Sequence, residues 1–190
     1  LAAGELVDAA DLCQGRERSG DCGGGRAEFE LSSMRLSRAV VLVLDRVGAG
    51  WLGPYGNSWL DTPGFNRLAA DSLLIETAIG DSAALGDYYR SVWSGVPGLV
   101  PGMAGASLAE SVRLAGGAAS LVTDDREVAG HALAGVCGER RILDAVDASE
   151  SAGSVEATGI FQFFEAARLA VEQFVGPGLL WLHGRGLSGA

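Results

Sequence analysis

Asp45 closes the apolar run AVVLVL at 39–44, and that position makes it the acid best placed for chemistry in this chain. In an open α/β sheet ligands gather in the crevice at the carboxyl ends of strands, where an aspartate can hold a hard cation. The same residue can instead fold back on its own backbone and cap the turn that follows, a common use of aspartate after strands. Other chemistry-bearing types are sparse. The two histidines, His131 and His183, are far from Asp45 in sequence. Cys13, Cys22 and Cys137 form no C-x-x-C pair and have no histidine nearby, so neither a disulfide scaffold nor a zinc site is supported, and they read as free thiols. Trp51, Tyr55, Trp59, Tyr88, Tyr89 and Trp93 suit stacking on a sugar or other ring, and equally suit packing at a domain surface.

The elements that must position these residues alternate in type. The β-branched run ending at Asp45 predicts a strand buried on both faces of a parallel sheet. The loop VGAGWLGPYGNSWLD follows, and then Thr62 offers a cap and Pro63 a first helical position for a helix through FNRLAA. SLLIETA at 72–78 predicts a second strand. ALGDYYRSVWS at about 84–94 predicts a helix stopped by Gly95 and Pro97. A helix over about 106–115 carries Leu108, Val112 and Ala115 on one stripe. AASLVT at 118–123 is a strand, about 155–174 a helix, and GLLWLH a last strand. This order predicts an α/β fold with a doubly wound, mostly parallel sheet flanked by helices. Because no helix follows the last strand before Ala190, that strand is expected to keep an uncovered face, and the isolated chain to need a partner.

Length and composition bound what such a domain can do. The chain has 190 residues, 48% of them hydrophobic, enough for one domain with a sizeable core. Residues 1–33 differ, with GRERSGDCGGGR offering little to bury; they read as a flexible or non-domain tail, with the domain over 34–190 and Met34 as a candidate natural start. With 14 basic and 24 acidic residues the net charge is −10, which argues against nucleic acid or an anionic membrane as partner. No apolar run is long enough to span a bilayer, and the N-terminus lacks a basic region followed by an apolar one, so a cytoplasmic location is the expectation.

The segment from Val40 to Ala78 resembles the N-terminal part of the sulfatase family, within the alkaline phosphatase superfamily. The matching pieces are the strand ending in Asp45, the L-G-x-Y-G of Leu52 to Gly56, the T-P-x-x-x-R-L-A of Thr62 to Ala69, and Thr77-Ala78. Weaker similarity runs through SLAESVRLAGGAASLV and LLWLH. The resemblance implies about the first half of an alkaline-phosphatase-like catalytic domain. It also implies a divalent cation, calcium or magnesium, and hydrolysis of a small anionic sulfate ester by in-line attack of a formylglycine made from Cys or Ser.

On that resemblance Asp45 matches the first metal ligand, while Arg46 stands where many members keep a second Asp, and a guanidinium cannot ligate a cation. Counting from either side places the C/S-x-P-S-R nucleophile motif on LGDYY, with Leu85 at the nucleophile and Tyr89 at the arginine. Leucine cannot become formylglycine, so the standard chemistry is absent. Ser82 and Arg90 are the local stand-ins, Ser82 as nucleophile or helix cap, Arg90 as an anion-binding fork or a solvated helix residue. Asp124 and Asp125 replace the family's Lys and His and suit turns or extra metal ligands, turns being preferred. His183 either lines the crevice or is structural. The family's later Asp-His-Gly motif is not in this chain. Two functions follow as expectations: a sulfatase-like hydrolase fragment, or a non-catalytic module of the same fold serving binding or assembly.

Overall fold

The computed structural model describes residues 37–98, 100, 105–144 and 152–186. The tail at 1–33, Met34, Cys13 and Cys22 lie outside them. All the described residues belong to one unit, Arg35–Ala190.

Among the described residues nine regular elements follow in order: β1 (Arg38–Leu44), α1 (Pro63–Ala70), α2 (Leu85–Ser94), α3 (Leu108–Leu114), β2 (Ala118–Thr123), α4 (Arg126–Gly130), β3 (Glu139–Ile142), α5 (Gly159–Gln173) and β4 (Gly178–Gly184), joined in places by short 3-10 turns. The strands form one four-stranded sheet in the order β1-β4-β2-β3, and every pairing is parallel. Helices lie against both faces, so the expected α/β class with a parallel sheet is observed.

Alternation along the strands sorts the core into two layers. Leu121, Leu179 and Trp181 face Tyr89 and Trp93 of α2, Val128 of α4 and Ala134. Val122, Leu180 and Leu182 face Phe163 and Ala167 of α5, with Phe174 just after that helix. Aromatic rings bind the first layer: Tyr89 and Trp93 have centroids 4.4 Å apart, and Trp93 and Trp181 5.7 Å. Full burial of side chains this large stabilises the fold by about 1.5–3 kcal/mol each.

Four local expectations are corrected. β1 is not buried on both faces: it is an edge strand, and while Val41 and Val43 pack on the α2 layer, Val40 and Leu42 remain 43% and 45% exposed. The last strand, β4, is not the uncovered one. It lies between β1 and β2, and all seven of its residues are buried, because parallel pairing lets a late strand insert beside an early one. SLLIETA forms no strand. A strand needs a neighbour to take its backbone hydrogen bonds, and here Leu73 and Ile75 stand 87% and 58% exposed. Finally, α3 turns its small Ala109 and half-buried Val112 inward, whereas Leu108 and Ala115 are exposed; the buried stripe is offset from the expected one because a small residue allows close approach to β2.

Thr62 is also used differently. Its Oγ1 accepts from Gly53 N at 2.8 Å rather than capping α1, and so ties the loop after β1 to the helix start. The short elements α4 and β3 carry no amphipathic period that sequence reading could detect.

Candidate functional site

The register of the sheet decides what meets at its carboxyl end. Val43 of β1 and Thr123 of β2 both sit beside His183 of β4. From there the three chains run on into Asp45-Arg46, Asp124-Asp125 and Gly184-Arg185. Backbone and side chains then stitch these ends together. Asp45 N donates to Gly184 O at 2.9 Å, and Arg185 N donates to Asp124 Oδ1 at 2.8 Å. Gly186, at φ 59°, lies so close that a side chain there would collide with the Asp45 carbonyl, so only glycine fits.

Charges at this end are paired locally. Arg46 Nε lies 3.6 Å from Asp45 Oδ2, and Arg185 Nε 3.8 Å from Asp125 Oδ2. Arg46 adopts the left-handed conformation at φ 58°, uncommon for a non-glycine residue and held here by the tight turn after β1. Asp125 is chiefly a cap: its Oδ1 accepts from Glu127 N at 2.7 Å and Val128 N at 3.1 Å, fixing the start of α4. Asp125 thus has the local backbone role expected of it, whereas Asp124 spends its carboxylate on the distant Arg185 backbone.

Beneath this rim lies a buried polar chain. Trp181 Nε1 donates to the Tyr89 hydroxyl at 3.3 Å, and the Tyr89 hydroxyl and His183 Nδ1 are 2.6 Å apart. Which of these two atoms donates depends on the imidazole tautomer. His183 Nε2 is buried and has no partner among the described residues. Burial pushes the Tyr89 hydroxyl well above its ordinary value. Burial also lowers the His183 pKa, against the pull of Asp125, Asp45 and Asp124. At neutral pH the pair is therefore a phenol and a neutral imidazole. Both residues are fully shielded from solvent, so neither can reach a substrate from this position.

The sequence-derived candidates do not converge. Ser82 Oγ accepts from Ala84 N at 3.1 Å, a local turn leading into α2. Arg90 donates to Gly98 O at 3.1 Å and lies 3.5 Å from Asp87 Oδ1. Among the described residues, neither shares a hydrogen bond or ion pair with Asp45. Leu85 opens α2 and packs against the core cluster around Tyr89. His131 is likewise engaged, accepting from Leu133 N at Nδ1 and meeting Gly86 O through Nε2 at 3.1 Å. Cys137 is free, and burial raises its thiol pKa.

The donor set does not fit a divalent cation. Asp45 brings one carboxylate, already beside the Arg46 guanidinium, and no group of three or more His, Cys, Asp or Glu among the described residues could surround an ion. Nor is any described helix long and apolar enough to cross a membrane.

An open groove lies a few residues beyond Asp45. It measures about 410 Å³ and is lined by Trp51, Trp59, Asn57, Ser58 and glycine backbone. A second, of about 240 Å³, lies between α5 and the β2–β3 side of the sheet and includes neither Asp45, Asp125 nor His183. The chain matches no family model, no curated protein and no solved structure.

Proposed function

We propose that this chain carries a sulfatase-like α/β domain retained as a non-catalytic binding module. The observation that carries this reading is the fate of α2. The positions that the resemblance assigns to the nucleophile and its arginine hold Leu85, packed on the core, and Tyr89, fully buried and bonded to His183 at 2.6 Å. A reacting sulfate ester would need a nucleophile and an exposed guanidinium there. The side chains present supply hydrophobic packing and a sealed hydrogen bond instead. The alkaline-phosphatase-like architecture remains part of the proposal, supported by the parallel sheet and by the order of motifs from Val40 to Ala78.

Asp45, with the Arg46 guanidinium 3.6 Å away, does not make a cation site, and a binding module needs none. The test is hydrolysis of an aryl sulfate by the full chain, with and without calcium or magnesium, beside the Asp45→Ala and Ser82→Ala variants. The expected result is the same background rate in all three proteins. Turnover that is metal-dependent and lost in Asp45→Ala or Ser82→Ala would replace this reading with the hydrolase one.

A further inference from the structure

The groove on the loop after β1 has the composition of a ligand platform. Trp51 and Trp59 line it and stand 52% and 88% exposed, whereas the chain's other two tryptophans, Trp93 and Trp181, are buried. Neither exposed indole pairs with another aromatic ring among the described residues. Exposing two of the largest apolar side chains on one short loop forgoes their burial, and such surface commonly marks binding.

The remaining lining is polar and uncharged. Asn57 Oδ1 accepts from Trp59 N at 2.7 Å and from Leu60 N at 3.2 Å, which fixes the backbone at Trp59 and, among the described residues, leaves the Asn57 NH2 without an acceptor. Ser58 adds a hydroxyl, and Gly48, Gly50 and Gly56 leave backbone accessible. Among the described residues, no charged one lines the groove. The loop is held in shape by Trp51 N to Gly48 O and Leu52 N to Ala49 O, each 3.0 Å, and by the Gly53 to Thr62 bond described above. A preformed loop loses little entropy when it binds. The volume falls in the range of small-molecule sites.

We infer that this groove binds a neutral saccharide. Its sugar rings stack their C–H faces on Trp51 and Trp59, while its hydroxyls bond Asn57, Ser58 and the glycine backbone. A sulfated or otherwise anionic ligand would find no cation in the lining, and a quaternary ammonium would find no carboxylate beside the indoles. The inference rests on the binding-module reading and names its ligand class. Aryl sulfate turnover tests that reading and carbohydrate titration tests this one, so either can fail alone.

The experiment titrates the full chain with maltohexaose, cellohexaose and chitohexaose, and with tetramethylammonium and a sulfated oligosaccharide as contrasts. Tryptophan fluorescence and calorimetry report binding. One neutral hexasaccharide is expected to bind and perturb the exposed tryptophans, with affinity reduced about tenfold or more in Trp59→Ala and in Trp51→Ala, and partly restored in Trp59→Phe. Unfolding curves of the variants should match the wild type, since Trp59 makes little core contact. No binding of any neutral hexasaccharide at millimolar concentration would overturn the inference. So would binding indifferent to both alanine variants, or a preference for tetramethylammonium or the sulfated ligand.

Discussion

Replacing Tyr89 by Phe tests the buried chain that the functional reading depends on. The ring would keep its packing against Trp93 and Trp181, whose centroids lie 4.4 and 5.9 Å away. Only the hydroxyl is lost. His183 Nδ1 then loses its 2.6 Å partner, and since Nε2 already lacks one, both ring nitrogens are buried without hydrogen bonds. Trp181 Nε1–H loses its acceptor as well, at the longer distance of 3.3 Å. An orphaned buried group costs about 1–3 kcal/mol, and with the tryptophan at the weaker end the sum is about 2–4 kcal/mol. That is a large part of the stability of a typical domain. Urea unfolding of the full chain, followed by tryptophan fluorescence, gives the measurement. With a denaturant slope of about 2 kcal/mol/M, the midpoint should fall by about 1–2 M while the slope stays constant. A midpoint within about 0.2 M of wild type would show that the hydroxyl does not satisfy these partners, and would remove the main support for a sealed, non-catalytic α2.

Three further outcomes follow from the same geometry. Because burial holds His183 below its ordinary pKa of 6.5, the unfolded chain takes up a proton that the folded protein resists. Stability from this group is therefore whole above about pH 6.5 and declines on acidification, by about 1.4 kcal/mol per pH unit, until the folded imidazole itself titrates. Urea midpoints across that window should fall less steeply in His183→Gln, and equal slopes would refute the assignment. Asp125→Ala should lose about 1 kcal/mol through the α4 cap, whereas Asp125→Asn keeps the accepting Oδ1 and stays near wild type; equal losses in both would make the charge, not the cap, the important property. Gly178→Ala places a methyl group against the Ala118 backbone at a φ of 151° and should cost more than about 1 kcal/mol in the same assay.

Much of the fold was legible because several elements carry their own signal. The AVVLVL and GLLWLH runs are short, apolar and bounded by turn residues, and both are strands within a residue or two of where composition puts them. Gly95 ends α2 in the left-handed conformation, as its sequence position implies. SLLIETA misled for a physical reason: its short apolar run Leu73-Leu74-Ile75 is strand-like in composition, but a strand also requires an edge to pair with, and that is a property of the whole fold. β3, with the sequence ERRI, shows the converse, since three of its four residues are charged and it becomes a strand because β2 offers an edge.

The candidate site divides in the same way. From its sequence the chain could be said to end an apolar strand at Asp45, to hold Leu85 and Tyr89 in place of a nucleophile motif, and to carry a tryptophan-rich loop beyond the first strand. These are properties of residue type and order. That Tyr89 reaches across 94 positions to His183 could be decided only by packing, because α2 must lie on β4 before the two polar atoms meet. Tertiary structure likewise left Trp51 and Trp59 in an open groove while Trp93 and Trp181 were buried. Local chemistry is written residue by residue, whereas burial and pairing depend on which distant surface arrives to exclude the water.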